Sequence, residues 1–373
     1  MIAAARRGSG PAFWRGLDPT IAMTVVLLIG VGLLLSLGAS PAATERLAIP
    51  DSFYFLYRHL AYAAAGLAIL AFTATLSPRG ARRIAAAALL GSMAIMALLP
   101  VIGSEVNGAT RWLRLGPVSI QPSEFFKPAF IVVLAWLFAE ESRGAPVAGR
   151  LAGFALYLVG AGLLIIQPDF GQTMLVTCLF GALLFAAGLP WLYSVGLGGL
   201  ALGAGAAGAV FMPHVRARIE AFLGSSGDRL QIETAIEAIQ RGGFTGVGPG
   251  AGEVKRLLPE AHTDFVFAVA AEEFGLVASL AIIGLYAILL TRAWSNAMRL
   301  TDHFAQLATA GLAMLFGLQA FINIAVNLSL LPPKGMTLPF VSYGGSSMLA
   351  LAFAAGLMLA LTRRTPGAYR RDV

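Results

Sequence analysis

The chain has one cysteine, Cys178, set inside an apolar run, so it can form neither an intrachain disulfide nor a thiolate metal site. Its four histidines, His59, His214, His262 and His303, are scattered, and none forms a helical pair at metal-ligand spacing. No G-x-x-x-x-G-K-S/T run is present, which removes any sequence-visible means of nucleotide hydrolysis. Charge is scarce as well. Asp, Glu, Lys and Arg make up 12% of the residues against 58% hydrophobic, and a mean hydropathy of +0.78 excludes a soluble globular domain. The apolar runs are continuous and do not alternate with period two, which excludes a β-barrel.

What is present is a series of apolar windows of the roughly 20 residues needed to cross a hydrocarbon core. They lie near 19–40, 53–76, 83–102, 127–140, 150–167, 172–189, 191–212, 263–291, 304–330 and 341–362. The expectation is an all-α, polytopic membrane protein of ten transmembrane helices, forming one domain over 1–373. The first window follows Arg6, Arg7 and Arg15 and is too long for a signal-peptide core, so it reads as a retained helix. With ten spans both termini share a side. Arg79, Arg82, Arg83, Arg143, Arg150, Arg292, Arg299, Arg363, Arg364, Arg370 and Arg371 fall on that side with the N-terminal arginines. Short loops of the other side hold only Arg46, Arg58, Arg111, Arg114 and Lys334, so both termini are expected in the cytoplasm. The net charge of +7 thus reports membrane orientation and gives no reason to expect nucleic-acid binding.

One connection is long. Residues 213–262 form an outer loop of about fifty residues, a length that marks function or disorder. Within it Ile232, Ala235, Ile236 and Ile239 recur at helical spacing opposite Gln231, Glu233, Glu237 and Gln240, an amphipathic helix laid on the membrane or the spans. The following run from Gly242 to Gly252 exposes backbone N–H groups and suits either a phosphate cradle or a re-entrant turn. It ends at Leu258-Pro259-Glu260-Ala261-His262-Thr263-Asp264-Phe265, which places an acid at a bilayer boundary, a functional position by default.

Other polar clusters share that outer side. Glu124 and Lys127 are three apart on one helix face, giving either a neutral ion pair or, with Arg111, a cationic contact for an anionic head group. Asp169, in the turn Gln167-Pro168-Asp169-Phe170, reads as a helix N-cap. The run Leu331 to Ser347, dense in proline and glycine, fixes a non-helical backbone tolerated at membrane depth only inside protein or a watery cavity, and Lys334 within it is a candidate anion contact. Asp264, Ala268 and Glu272 fall at i, i+4 and i+8, which would put Glu272 about 12 Å deeper on the same helix face. Glu272 and Glu273 are expected to pair with a buried base or backbone donors. Gln319, Asn323 and Asn327 repeat every four residues as interhelical hydrogen-bond glue.

Taken in chain order, Gln121-Pro122-Ser123-Glu124 with Lys127, Gln167-Pro168-Asp169, Pro259-Glu260-Ala261-His262-Thr263-Asp264-Phe265 and Ser342-Tyr343-Gly344-Gly345-Ser346-Ser347 resemble the signatures of the SEDS family of shape, elongation, division and sporulation proteins. Leu258-Pro259-Glu260-Ala261 and Lys334-Gly335-Met336 look more like the division branch than the elongation branch. Pro333 departs from the usual Thr or Ala.

The resemblance implies a peptidoglycan glycosyltransferase that polymerises lipid II into a nascent glycan strand at the division septum, on the outer face of the cytoplasmic (inner) membrane. The family's essential aspartate falls on Asp264, a general base for the acceptor hydroxyl. Arg111, Lys127, Arg216, Arg218 and Lys334 are cations for the departing pyrophosphate, and Glu124, Glu260, His262 and Ser342 join them as substrate contacts. A divalent cation, Mg or Mn, bridging Asp264 or Glu260 to the pyrophosphate is left open. No Ser-x-x-Lys transpeptidase domain is present, so a class B penicillin-binding protein is the implied partner, with division regulators and membrane lipid around it. Alternatives are a lipid II flippase, an elongation polymerase and a noncatalytic scaffold. Crowding of the polar groups on the outer face favours the enzyme over the flippase.

Overall fold

A computed structural model describes residues 16–106, 109–116, 118–193, 195–196, 198–199, 203, 227–332 and 335–363. Helix α1 (Pro19–Arg46) starts where Asp18 accepts hydrogen bonds from Thr20 N and Ile21 N and Pro19 occupies the first turn, two standard start signals. Then follow α2 (Tyr54–Ala74) and α3 (Pro78–Ile102), strands β1 (Ser104–Val106), β2 (Ala109–Leu115) and β3 (Val118–Ile120), and α4 (Pro122–Ser142), α5 (Gly149–Ile166) and α6 (Phe170–Ala186). The second half holds α7 (Gly227–Gly242), α8 (Val254–Leu257), α9 (Val266–Ala297), α10 (His303–Asn327) and α11 (Gly345–Thr362).

Among the described residues eight helices, α1–α5 and α9–α11, are long and apolar enough to span a membrane, and α6 is a shorter apolar helix of 17 residues. The protein is a multi-pass membrane protein of helical build. The expected seventh span, 191–212, lies largely outside the described residues, as do Arg216 and Arg218. Helices α4 and α11 form the centre, with 83% and 89% of their apolar windows buried against 22–33% for α2, α3, α5 and α9. Their apolar residues therefore face protein, whereas much of the outer ring is left for lipid.

The two ends of the bundle differ in chemistry. At the start of α1, Arg292 Nε and Asn296 Nδ2 donate to Asp18 Oδ2 at 2.8 and 2.9 Å. Arg82 and Arg143 share Glu140 Oε1, and Arg150 pairs with Glu141. These arginines belong to the set assigned to the cytoplasmic side. The far end of α1 meets α8 and the first turns of α9, so the glycine-rich loop and Asp264 occupy the opposite end.

Two departures from the sequence reading shape that end. The loop before α4 forms a small antiparallel sheet, β1-β2-β3, with Leu113 opposite Ile120 and Arg114 opposite Ser119. Helix α9 is broken at Gly275, whose φ of 73° and ψ of −169° are accessible in practice only to glycine.

Candidate active site

Asp264 does not continue the helix that carries Glu272. It sits in a turn before α9, with Phe265 as the first flanking residue. The turn opens at Glu260, whose φ of 56° is left-handed and unusual for a side chain of its size. That conformation lets Glu260 O accept from Thr263 N at 3.0 Å and Phe265 N at 3.2 Å. The Glu260 carboxylate accepts from Thr263 Oγ1 at 2.7 Å.

A second segment, 335–344, closes over this turn. Tyr343 N donates to His262 O at 2.9 Å, and Ser342 Oγ donates to Thr263 O at 2.6 Å while accepting from Leu338 N. Asn323 and Asn327 of α10 both donate to Asp264 O. The segment is buried at Met336, Leu338, Phe340, Val341 and Ser342. Tyr286 of α9 donates to Pro339 O, and Phe316 of α10 stacks on Phe340. Non-helical backbone is thus enclosed by protein, the condition under which it is tolerated at depth.

Among the described residues no side-chain donor reaches the Asp264 carboxylate, which keeps a partial opening to solvent beside Gly335. Burial, reinforced by the like charge of Glu260, pushes its pKa up to about 7. His262 moves the other way, because burial against Phe55 and Tyr343 disfavours the imidazolium more than Glu260 favours it. A carboxylate that is half-ionised near neutrality, unbonded and open on one side is suited to taking a proton.

The model of the family described as Cell cycle protein, FtsW/RodA/SpoVE, matches residues 19–366. A probable peptidoglycan glycosyltransferase FtsW of Caulobacter vibrioides is 49% identical over 359 residues, spanning 96% of this chain and 92% of that one. The corresponding protein of Thioalkalivibrio sulfidiphilus is 40% identical over 94% and 90%. The chain belongs to this family. Its fold matches the rod shape determining protein RodA of Thermus thermophilus with a TM-score of 0.70 at 30% identity, covering 94% of this chain and 97% of that one. A chain from a peptidoglycan synthase complex that coordinates polymerization and crosslinking matches with a TM-score of 0.76 at 32% identity, over 93% and 97%. Like its FtsW relatives, this family member is a peptidoglycan glycosyltransferase.

Within this FtsW-type protein several expected substrate contacts have protein partners instead. Lys127 is 1% exposed, and its Nζ donates to Glu124 Oε1 at 2.9 Å and to Gln319 Oε1 at 3.4 Å. It forms the buried ion pair, not an open cationic contact. Arg111 is spent on the turn after α5. Its guanidinium donates to Gln167 O and Pro168 O and pairs with Asp169 Oδ1 at 3.7 Å. Asp169 caps α6 through Gln172 N, as expected. Ser342 acts as a clamp between the two segments. Lys334 lies outside the described residues. The reading of Glu272 as a deeper neighbour of Asp264 on one helix face is corrected, because Asp264 lies in the turn that precedes the helix.

Both glutamates are paired as expected. The Glu272 carboxylate accepts from the backbone N–H groups of Glu253, Val254 and Lys255 at 2.9–3.0 Å. Glu273 pairs with Lys255 Nζ, which also donates to Gly38 O at 3.0 Å. The glycine-rich run is a turn and not a phosphate cradle, since Val247 N and Gly248 N donate to the carbonyls of Glu272 and Glu273. Leu276 N donates in turn to Gly243 O. The loop therefore caps the helix ends that the Gly275 break exposes. The amphipathic helix is α7, whose Ile232, Ala235 and Ala238 are buried where it packs on α9. Lys255 was missed by sequence reasoning. Its signal was the presence of two adjacent acids, Glu272 and Glu273, in an apolar run, which demands a base elsewhere.

Among the described residues no three His, Cys, Asp or Glu side chains converge to hold a metal ion. Glu260 and Asp264 supply two hard oxygen donors of like charge, a partial set that fits a divalent cation only with substrate oxygens completing it.

Proposed function

We propose that this protein polymerises lipid II on the outer face of the cytoplasmic membrane at the division septum, both its termini being cytoplasmic, with Asp264 as general base. The observation that carries the reading is the Asp264 carboxylate itself, held by its backbone, unbonded by described side chains and raised to about 7. In the reaction this carboxylate takes the proton of the acceptor sugar's 4-hydroxyl. The freed oxygen forms a bond to the donor's anomeric carbon as the bond from that carbon to the pyrophosphate oxygen breaks, and the undecaprenyl pyrophosphate leaves with the electron pair. Attack opposite the leaving group inverts the anomeric centre.

The departing charge needs cations or backbone donors. Because Arg111 and Lys127 are committed to protein partners, this reading assigns the role to Lys334, next in sequence to the Gly335 that lies beside Asp264, and to Arg216 and Arg218. A divalent cation held by Asp264 and Glu260 would add Lewis-acid neutralisation of the pyrophosphate. The crosslinking partner is a class B penicillin-binding protein, supported by the structural match to a chain of a synthase complex that couples polymerization to crosslinking.

The test is polymerisation of purified lipid II by the protein with its transpeptidase partner. Asp264→Asn is isosteric and removes the base, so strand products are expected to fall at least a hundredfold. Wild-type rates from Asp264→Asn would refute the assignment.

A further inference from the structure

Three consecutive carbonyls of the Asp264 turn are each held from outside the turn. His262 O receives Tyr343 N, Thr263 O receives Ser342 Oγ, and Asp264 O receives two side-chain amides, Asn323 Nδ2 at 2.9 Å and Asn327 Nδ2 at 3.0 Å. One partner already satisfies a buried carbonyl. Two amides converge here, one helical turn apart on α10, at 1% and 0% exposure.

Each amide has a second anchor. Asn323 Nδ2 also donates to Met336 O at 2.7 Å, which joins the Asp264 turn to the 335–344 segment. Asn327 Oδ1 accepts from Ala268 N at 3.0 Å in the first turn of α9, where Phe265 offers no side-chain cap. Glue between helices would need only amides that pair across two helices. These two instead converge on a loop carbonyl, that of the residue whose carboxylate reacts.

We propose that Asn323 and Asn327 are positioning residues that aim the Asp264 carboxylate while leaving it basic. The inference rests on the reading of Asp264 as the base. A donor placed on the carboxylate itself would fix its direction but stabilise the anion and weaken it as a base. Anchoring through the adjacent main-chain carbonyl fixes the Cα without touching the reacting oxygens. Small displacements of a reacting group are costly in rate, so the anchor matters to the chemical step more than to substrate binding.

The experiment compares Asn323→Leu and Asn327→Leu with the wild type, each as full-length protein in complex with its transpeptidase, using lipid II at varied concentration and pH. Both variants are expected to lose at least tenfold in kcat per folded complex, with KM for lipid II within twofold. The acidic limb of kcat is expected to move to lower pH as the released carboxylate regains water. Asn323→Gln, which keeps the donor on a longer stem, is expected to recover part of the rate. If a leucine variant does not fold, the serine substitution at the same position carries the same comparison. An unchanged kcat and an unchanged acidic limb would overturn the proposal. Full activity of Asp264→Asn would instead sink the base reading, whereas an inactive Asp264→Asn beside fully active asparagine variants would sink this inference alone.

Discussion

Lys255→Met is the substitution whose consequence the structure specifies most closely. Lys255 and Glu273 are 3% and 1% exposed at their side chains; the ammonium joins Glu273 and the Gly38 carbonyl of α1, and the backbone N–H of Lys255 donates to the Glu272 carboxylate. Methionine keeps the stem and the backbone bond but removes the charge. Glu273 is then a buried carboxylate without its base, and breaking one partner of such a pair costs about 3–5 kcal/mol. The Gly38 carbonyl loses a charge-assisted donor as well, worth about 1.5–3 kcal/mol by itself, though the two losses overlap.

The double variant Lys255→Met with Glu273→Met removes both charges and should regain most of that loss, because a buried pair replaced by apolar groups is commonly neutral or better. Unfolding free energies measured in mixed-detergent titrations would separate the cases. A cost below about 1 kcal/mol for Lys255→Met, or a double variant as unstable as the single, would refute the account of Lys255 as the charge partner that lets Glu273 stay buried.

Two further outcomes follow from the same geometry. Because the basic form of Asp264 is lost as pH falls through about 7, the polymerisation rate should rise roughly tenfold between pH 6 and pH 8, and Glu260→Gln, by removing the second cause of the shift, should move that rise to lower pH; a flat profile counts against the assignment. Gly246→Ala would drive a methyl into the Glu273 carbonyl at a left-handed position, so the loop should undock and hydrogen–deuterium exchange at Val247 and Gly248 should rise sharply, whereas unchanged protection would contradict the capping role.

Much of the fold was legible because membrane spans are set by length and hydropathy, and each apolar window inside the described residues became a helix, with bounds that differ from the expected ones by up to six residues. The sheet was not. Its strands are three to seven residues long and sit in a polar loop, too short for a periodic signal, and β2 owes its place to Arg111 reaching the 167–169 turn. In the site, Asp264 was marked by its place at a span boundary and by the family resemblance, but the helix register that linked it to Glu272 failed because the helix starts only at Val266, behind the turn that Glu260 opens. The break further along α9 had its signal in a lone glycine, Gly275, within an apolar run. The spacing of Asn323 and Asn327 was visible in the sequence. Their target was not, because a loop carbonyl 59 and 63 residues away leaves no trace in helical periodicity.

The break at Gly275 also bears on how the enzyme meets membranes of different thickness. An unbroken α9 of 32 residues would measure about 48 Å, well beyond a hydrocarbon core of about 30 Å, and would have to tilt to be accommodated. With the break, the portion Leu276–Ala297 measures about 33 Å and matches the core, while Val266–Phe274 is docked by the glycine loop and Lys255 above it. Hydrophobic mismatch can then be absorbed by tilt below the joint. The Asp264 carboxylate, fixed to the part above, keeps its register with the segment that clamps its turn as lipid composition changes.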